Sequence, residues 1–153
     1  MSVEQRLQEL GITIPEAPKP VAAYVPFVRS GDLVFTSGQI AVEGGQLKYK
    51  GKVGRDLTAE EGYQAARLCA INTLAVLKSA VGSLDKVAQI VKVVVFVNSA
   101  DGFTGQPAVA NGASELYQQV FGEAGLHARS AVGVSELPMD TAVEVEVIAR
   151  ISA

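Results

Sequence analysis

The chain has 153 residues, 48% of them apolar and 19% charged, with 13 Lys+Arg against 16 Asp+Glu for a formal charge of −3. That length predicts one domain, 1–153, burying roughly 68–70% of its unfolded surface, and so apolar a composition excludes a disordered chain. The greasiest stretch, Ile90 to Val97, is broken by Lys92 and falls well short of the about 18 apolar residues a membrane span needs. The first residues, MSVEQRLQELG, lack a basic start followed by an apolar block, so no signal peptide is expected. The single cysteine, Cys69, cannot form an internal disulfide and reads as a buried, inert thiol. The single histidine, His127, leaves no ligand set for a metal. A mildly acidic chain also lacks the basic face that nucleic acid requires. A cytoplasmic protein with no metal, membrane or nucleic-acid partner is therefore expected. Its low charge and its 15 glycines favour a homo-oligomer.

Val3, Leu7 and Leu10 space a short helix that Gly11 ends, and Pro15, Pro18 and Pro20 then make an extended connector. Residues 1–20 thus form an N-terminal extension. Val21 to Arg29 suits a strand, with Pro26 marking an edge or bulge, and Ser30-Gly31-Asp32 turns into a second strand, Leu33 to Ile40. Glu43-Gly44-Gly45 turns again into a weak strand, Gln46 to Tyr49, followed by a polar loop, Lys50 to Asp56. Thr58 and Glu61 form a capping box for a helix over Ala59 to Ala80, with Tyr63, Ala66, Ala70, Leu74, Leu77 and Val81 on one face and Gly82 stopping it. Val87 to Val97 is a β-branched run, nearly apolar throughout, the pattern of a central strand. Pro107 stands near the start of a second helix, Ala110 to Phe121, which Gly122 ends. Arg129 to Leu137 and Ala142 to Ile151 both alternate, and Pro138-Met139-Asp140-Thr141 between them predicts a hairpin. The order ββ(β)αβαββ is that of an α+β fold, a mixed β-sheet with two helices packed on one face.

The sequence shows no nucleophile–histidine pair, no phosphate-binding glycine loop and no metal motif. Its informative segments are His127 to Val134 and Val143 to Val147. Alternation places Arg129, Ala131 and Gly133 on one face of a strand, where two small residues leave room beside a guanidinium able to grip a carboxylate bidentately. Glu144 and Glu146 share a face in the last strand. All three charges also fit an ordinary solvated sheet face. If Leu137 paired with Ala142, Glu144 would lie opposite Ser135, roughly 20 Å along from Arg129 at about 3.3 Å per residue. On that register the two residues either do not cooperate or meet across a subunit boundary. His127 fits a strand-start histidine bonded to backbone or a titrating group at a cleft rim, and Asn111 fits a helix N-cap or a ligand contact.

Phe35-Thr36-Ser37-Gly38-Gln39-Ile40, Ala128-Arg129-Ser130-Ala131-Val132 and Leu137-Pro138…Val143-Glu144-Val145-Glu146 together resemble the RidA/YjgF-like family of reactive intermediate deaminases, over about Val21 to Ile151. The resemblance implies a chorismate-mutase-like fold, a homotrimer with clefts between subunits, and cofactor-free hydrolysis of small 2-imino and 2-enamino acids to 2-keto acids and ammonia. It implies that Arg129 binds the carboxylate, Glu144 holds the hydrolytic water and Tyr24 lines the cleft. Ser37, Gly38, Asn111 and Ala131 would line the substrate pocket, Ala131 standing where members commonly carry cysteine. Ala22-Ala23 replace a common Gly-Pro, and the loops around Val42 to Asp56 and Gly102 to Ala113 are longer than is typical. A non-catalytic binder of small carboxylates or keto acids in the same cleft is the alternative. RNA cleavage, ascribed to some members, is disfavoured by the net charge and the lone histidine.

Overall fold

The computed structural model describes residues 1–19 and 23–152. Helix α1 (Val3–Leu10) has Ser2 as N-cap with Gln5 completing a capping box, and Gly11 closes it in the left-handed conformation at φ 69°. The first sheet strand, β1 (Phe27–Ser30), is shorter than predicted and begins just after Pro26, while Val21 and Ala22 lie outside the described residues. The predicted strand Leu33 to Ile40 is two strands, β2 (Leu33–Thr36) and β3 (Gln39–Ile40), separated by Ser37-Gly38. A small hairpin of β4 (Val42–Glu43) and β5 (Gln46–Leu47) turns at Gly44 and Gly45, whose φ values of 59° and 78° are those a two-residue primed turn demands.

Helix α2 (Ala59–Val81) starts on the predicted Thr58–Glu61 capping box. Its buried face is wider than the predicted stripe, because Ala65, Cys69 and Val76 are buried beside Ala66, Ala70 and Leu74. The sheet and helix α3 (Gln106–Phe121) both pack against it. Helix α3 begins four residues before the predicted Ala110, with Gly105 as N-cap and Pro107 in the first turn. Pro107 lacks an N–H that would go unused there, so it starts the helix rather than merely preceding it. Asn111 is therefore interior to α3, and its reading as an N-cap is corrected.

Strand β6 (Val87–Asn98) is central, as its composition predicts. The hairpin between the last two strands does not exist. Strand β7 (Ala128–Val134) pairs in parallel with β6, and β8 (Val143–Ile151) pairs antiparallel with the other side of β6, giving the order β1-β2-β8-β6-β7. A parallel neighbour needs a crossover, which α3 supplies. The Pro138–Asp140 turn instead carries the chain across the end of β6. Buried Asn98 ties that turn down: its Nδ2 donates to Asp140 Oδ1 (2.9 Å) and Thr141 O (3.2 Å), and its Oδ1 accepts from Lys52 Nζ (3.0 Å). Those bonds hold Met139 and Asp140 at φ 57° and 61°, a conformation side-chain-bearing residues seldom adopt.

The core lies between one sheet face and the two long helices. Val93, Val95, Val97, Val143, Val145 and Val147 meet Ala66, Ala70, Leu74 and Leu77 of α2 and Ala113, Leu116 and Tyr117 of α3. The buried Tyr117 hydroxyl is satisfied by Thr73 Oγ1 at 2.6 Å.

Candidate functional site

The side chains singled out in the sequence fall into two groups at separate places. The first forms where β7 emerges from the crossover. Val93 and Val147, in register with Arg129, point into the core, so Arg129 leaves β7 on the helix side. There its Nη1 donates both to Asn111 Oδ1 (2.8 Å) and to Ser114 Oγ (3.2 Å) of α3. Both Nη1 protons are thereby occupied. Among the described residues none is hydrogen-bonded to Nε or Nη2, and that edge of a guanidinium has the shape to match the two oxygens of a carboxylate. Ala131 lies two residues on, in register with Val95 and packed against the core, and so gives the strand a low profile beside Arg129.

The second group forms at β3 and the start of β8. The registers Phe35↔Ile148 and Gln39↔Val145 differ by one residue, so Ser37-Gly38 is a one-residue bulge. Ser37 turns back on the preceding chain, its N–H donating to Pro26 O (2.8 Å) and its Oγ to Val25 O (2.6 Å). Gly38 leaves space for Glu144: a Cβ there would lie 2.8 Å from Glu144 Cδ, with a carboxylate oxygen closer still. Tyr24, Gly38 and Glu144 line a groove of about 950 Å³ whose other walls include Ile12, Arg67 and Met139. Tyr24 is exposed there, and the groove includes none of Arg129, Asn111 or Ala131.

Glu144 is half-buried, and that burial raises its carboxyl above the ordinary value of 4.5, with repulsion from Glu146 adding to the rise. The folded chain thus binds this proton more tightly than the unfolded chain. Stability is accordingly lost as pH rises from about 4.5 through the raised value, and the penalty persists at neutral pH. Glu144→Gln, which carries no charge to bury, is expected to raise Tm at pH 7 on the order of 1–2 °C. Thermal melts of both proteins should converge as pH falls toward 4.5, and an unchanged gap would contradict this account.

The two groups cannot meet within one chain. Glu144 shares a row with Phe96 and Val132, whereas Arg129 shares one with Val93 and Val147, three residues away. Glu144 alternates with the buried Val143 and Val145, so it projects from the sheet face opposite Arg129. Two strand spacings sideways and three residues along place their backbones roughly 14 Å apart. The predicted opposition of Glu144 to Ser135 is thus corrected, since Glu144 faces Ile40 on one side and Phe96 on the other.

A further pair went unrecognised in the sequence. Ser114 Oγ lies 2.8 Å from His127 Nε2, so a serine–histidine contact does exist, 13 residues apart in the chain. His127 has the backbone partner expected of it, Gly125 O, 2.6 Å from Nδ1, and its ring meets Tyr117 edge-on at 5.9 Å. A serine in mid-helix carries no sequence mark of this, because only the crossover of α3 onto β7 creates it. Cys69 is buried, as predicted, its thiol donating to Val143 O and pushed well up by burial. Among the described residues there is no cluster of His, Cys, Asp and Glu able to hold a metal, and no helix long and apolar enough to cross a membrane.

Residues 4–151 match the family described as "YjgF/chorismate mutase-like, putative endoribonuclease". The chain is 45% identical to protein TCP17 of Trypanosoma cruzi over 151 residues, covering 98% of this chain and 94% of that one. It is 36% identical to the 2-iminobutanoate/2-iminopropanoate deaminase of Salmonella typhimurium, covering 90% and 94%. The crystal structure of Atu1372 from Agrobacterium tumefaciens, a protein of unknown function, superposes with a TM-score of 0.92 at 45% identity, covering 98% and 92%. By sequence and by fold, this chain belongs to the YjgF/RidA-like family.

Proposed function

We propose that the protein hydrolyses small 2-imino and 2-enamino acids to 2-keto acids and ammonia without a cofactor. Its site would lie between subunits of a homotrimer, with Arg129, Asn111 and Ala131 from one protomer and Glu144, Tyr24, Ser37 and Gly38 from its neighbour. The observation that carries this reading is the Arg129 guanidinium, pinned through Nη1 with its Nε/Nη2 edge open. The imino-acid deaminase at 36% identity supplies the substrate class.

Arg129 holds the carboxylate, which fixes the imine carbon relative to a water. Glu144, whose partly buried carboxyl has raised proton affinity, takes a proton from that water as its oxygen bonds to the imine carbon. Glu144 passes that proton to the nitrogen to give a carbinolamine, the water's second proton follows from the new hydroxyl to the nitrogen as the C–N bond breaks, and ammonia leaves the keto acid. One water is consumed and no electrons change hands.

Keto acid release from 2-iminopropionate generated in situ tests the activity, and the wild-type protein is expected to accelerate it. The shared site has a separate test. Arg129→Ala and Glu144→Gln chains, each inactive, are unfolded, mixed in equal amounts and refolded. Random assembly should restore about a quarter of the wild-type rate, since one interface in four then receives an intact residue from each side. A mixture as inactive as its components would show that the two residues do not share a site. Keto acid binding with no acceleration by the wild-type protein would instead favour a carboxylate-binding module.

A further inference from the structure

The polar chain behind Arg129 can be wired in only one direction. Gly125 O, 2.6 Å from His127 Nδ1, can only accept, so Nδ1 carries the ring proton. Burial lowers the proton affinity of His127, with repulsion from Arg129 in the same direction and the Gly125 bond opposing, so the ring is neutral at neutral pH and Nε2 bears a lone pair. The Ser114 hydroxyl, 2.8 Å away, must therefore donate to Nε2. That turns the oxygen's remaining lone pairs toward Arg129 Nη1 at 3.2 Å. Each group is fixed by the one behind it. The carbonyl sets the tautomer, the tautomer sets the hydroxyl, and the hydroxyl sets which guanidinium nitrogen is held.

A Ser–His contact also raises the question of a nucleophile. Ser114 is 6% exposed, inside α3, and its oxygen is engaged by both His127 and Arg129. No substrate carbonyl can reach it, so its part is to hold rather than to attack.

We propose that Ser114 and His127 are positioning residues that lock the Arg129 guanidinium with its Nε/Nη2 edge toward the ligand carboxylate. This rests on the reading of Arg129 as the carboxylate clamp. Asn111 alone would leave one Nη1 proton unpaired and the guanidinium free to turn about its own bonds.

The probe is 2-oxobutyrate, titrated calorimetrically into the untagged full-length protein. Ser114→Ala and His127→Phe, the latter keeping a ring against Tyr117, are each expected to weaken binding about fivefold to tenfold. The double variant should be no weaker than either single one, because both break the same chain of bonds. In turnover the loss should appear in KM with kcat retained, since Arg129 is still present to place the imine carbon once substrate is bound. His127 is the only histidine in the sequence, so a long-range 1H–15N spectrum of the wild-type protein reports it alone and should show the Nδ1–H tautomer at neutral pH. An Nε2–H tautomer, or single variants that bind as tightly as wild type while Arg129→Ala has lost binding, would overturn the proposal and leave the clamp intact. Unimpaired binding by Arg129→Ala would overturn the clamp and this proposal with it.

Discussion

Arg129→Ala is expected to lower imine turnover by roughly 10²–10³-fold, the effect of removing one partner from a charge-paired, hydrogen-bonded contact. Three features put the effect at that size. The guanidinium is half-buried at the sheet edge, so its field is screened less than that of a free surface charge. Its donors are directed rather than mobile, since Nη1 is bound at 2.8 Å and 3.2 Å and the ordering cost is met before ligand arrives. A substrate as small as 2-iminopropionate has little besides its carboxylate to be held by. Arg129→Lys separates charge from shape, keeping the cation but losing the planar fork, and should recover only part of the activity. Keto acid release at saturating and limiting substrate measures both variants. A rate within threefold of wild type for Arg129→Ala would remove Arg129 from the mechanism.

The largest expected loss of stability comes from a residue with no side chain. Gly112 sits in α3 where the helix presses on α2, and a Cβ there would lie 2.9 Å from the Tyr63 carbonyl carbon and nearer still to its oxygen. Two effects compete in Gly112→Ala. Intrinsic helix preference favours alanine over glycine by about 1 kcal/mol. The clash is with backbone, which cannot rotate away as a side-chain tip could, and forcing the helices apart costs about 3 kcal/mol or more. The clash wins by at least about 2 kcal/mol, which for a chain of this size lowers Tm by roughly 5–10 °C. Thermal unfolding followed by circular dichroism measures it, and a Tm within 2 °C of wild type would show that the helices can separate there without cost. Because α3 also carries Asn111 and Ser114, a variant that survives with its helices displaced should bind 2-oxobutyrate less tightly as well.

The elements whose cause is local were legible in the sequence. The Thr58–Glu61 capping box starts α2, Gly11 ends α1 in the left-handed conformation, and the valine-rich run of β6, broken only at a few positions such as Gln89 and Lys92, marks a central strand. The pairing of the last strands was not. Pro138-Met139-Asp140-Thr141 has the composition of a hairpin turn, and what sends the chain across β6 instead is the buried amide of Asn98, some 40 residues earlier. A stronger reading was available, because a strand as apolar as β6 needs neighbours on both flanks, and β7 and β8 are the ones that satisfy it.

The candidate site divides along the same line. Arg129 and Glu144 stood out through residue type and alternation, and the structure sets them on opposite faces of the sheet. Ser114 and His127 stood apart in the sequence because the packing that joins them belongs to the crossover and to no local pattern.

Strand β7 ends the sheet, so one row of its backbone N–H and C=O groups faces no other strand among the described residues. An open row of that kind invites pairing with any extended segment it meets, and proteins commonly guard it with a charge or a proline. Seven residues, ARSAVGV, make up β7, and Arg129 is the only guard among them. The side chain proposed to receive the ligand is therefore also the single charge along this border. A preparation of Arg129→Ala should accordingly be checked for self-association, and Arg129→Lys, which retains the charge, is the better control for the ligand's loss.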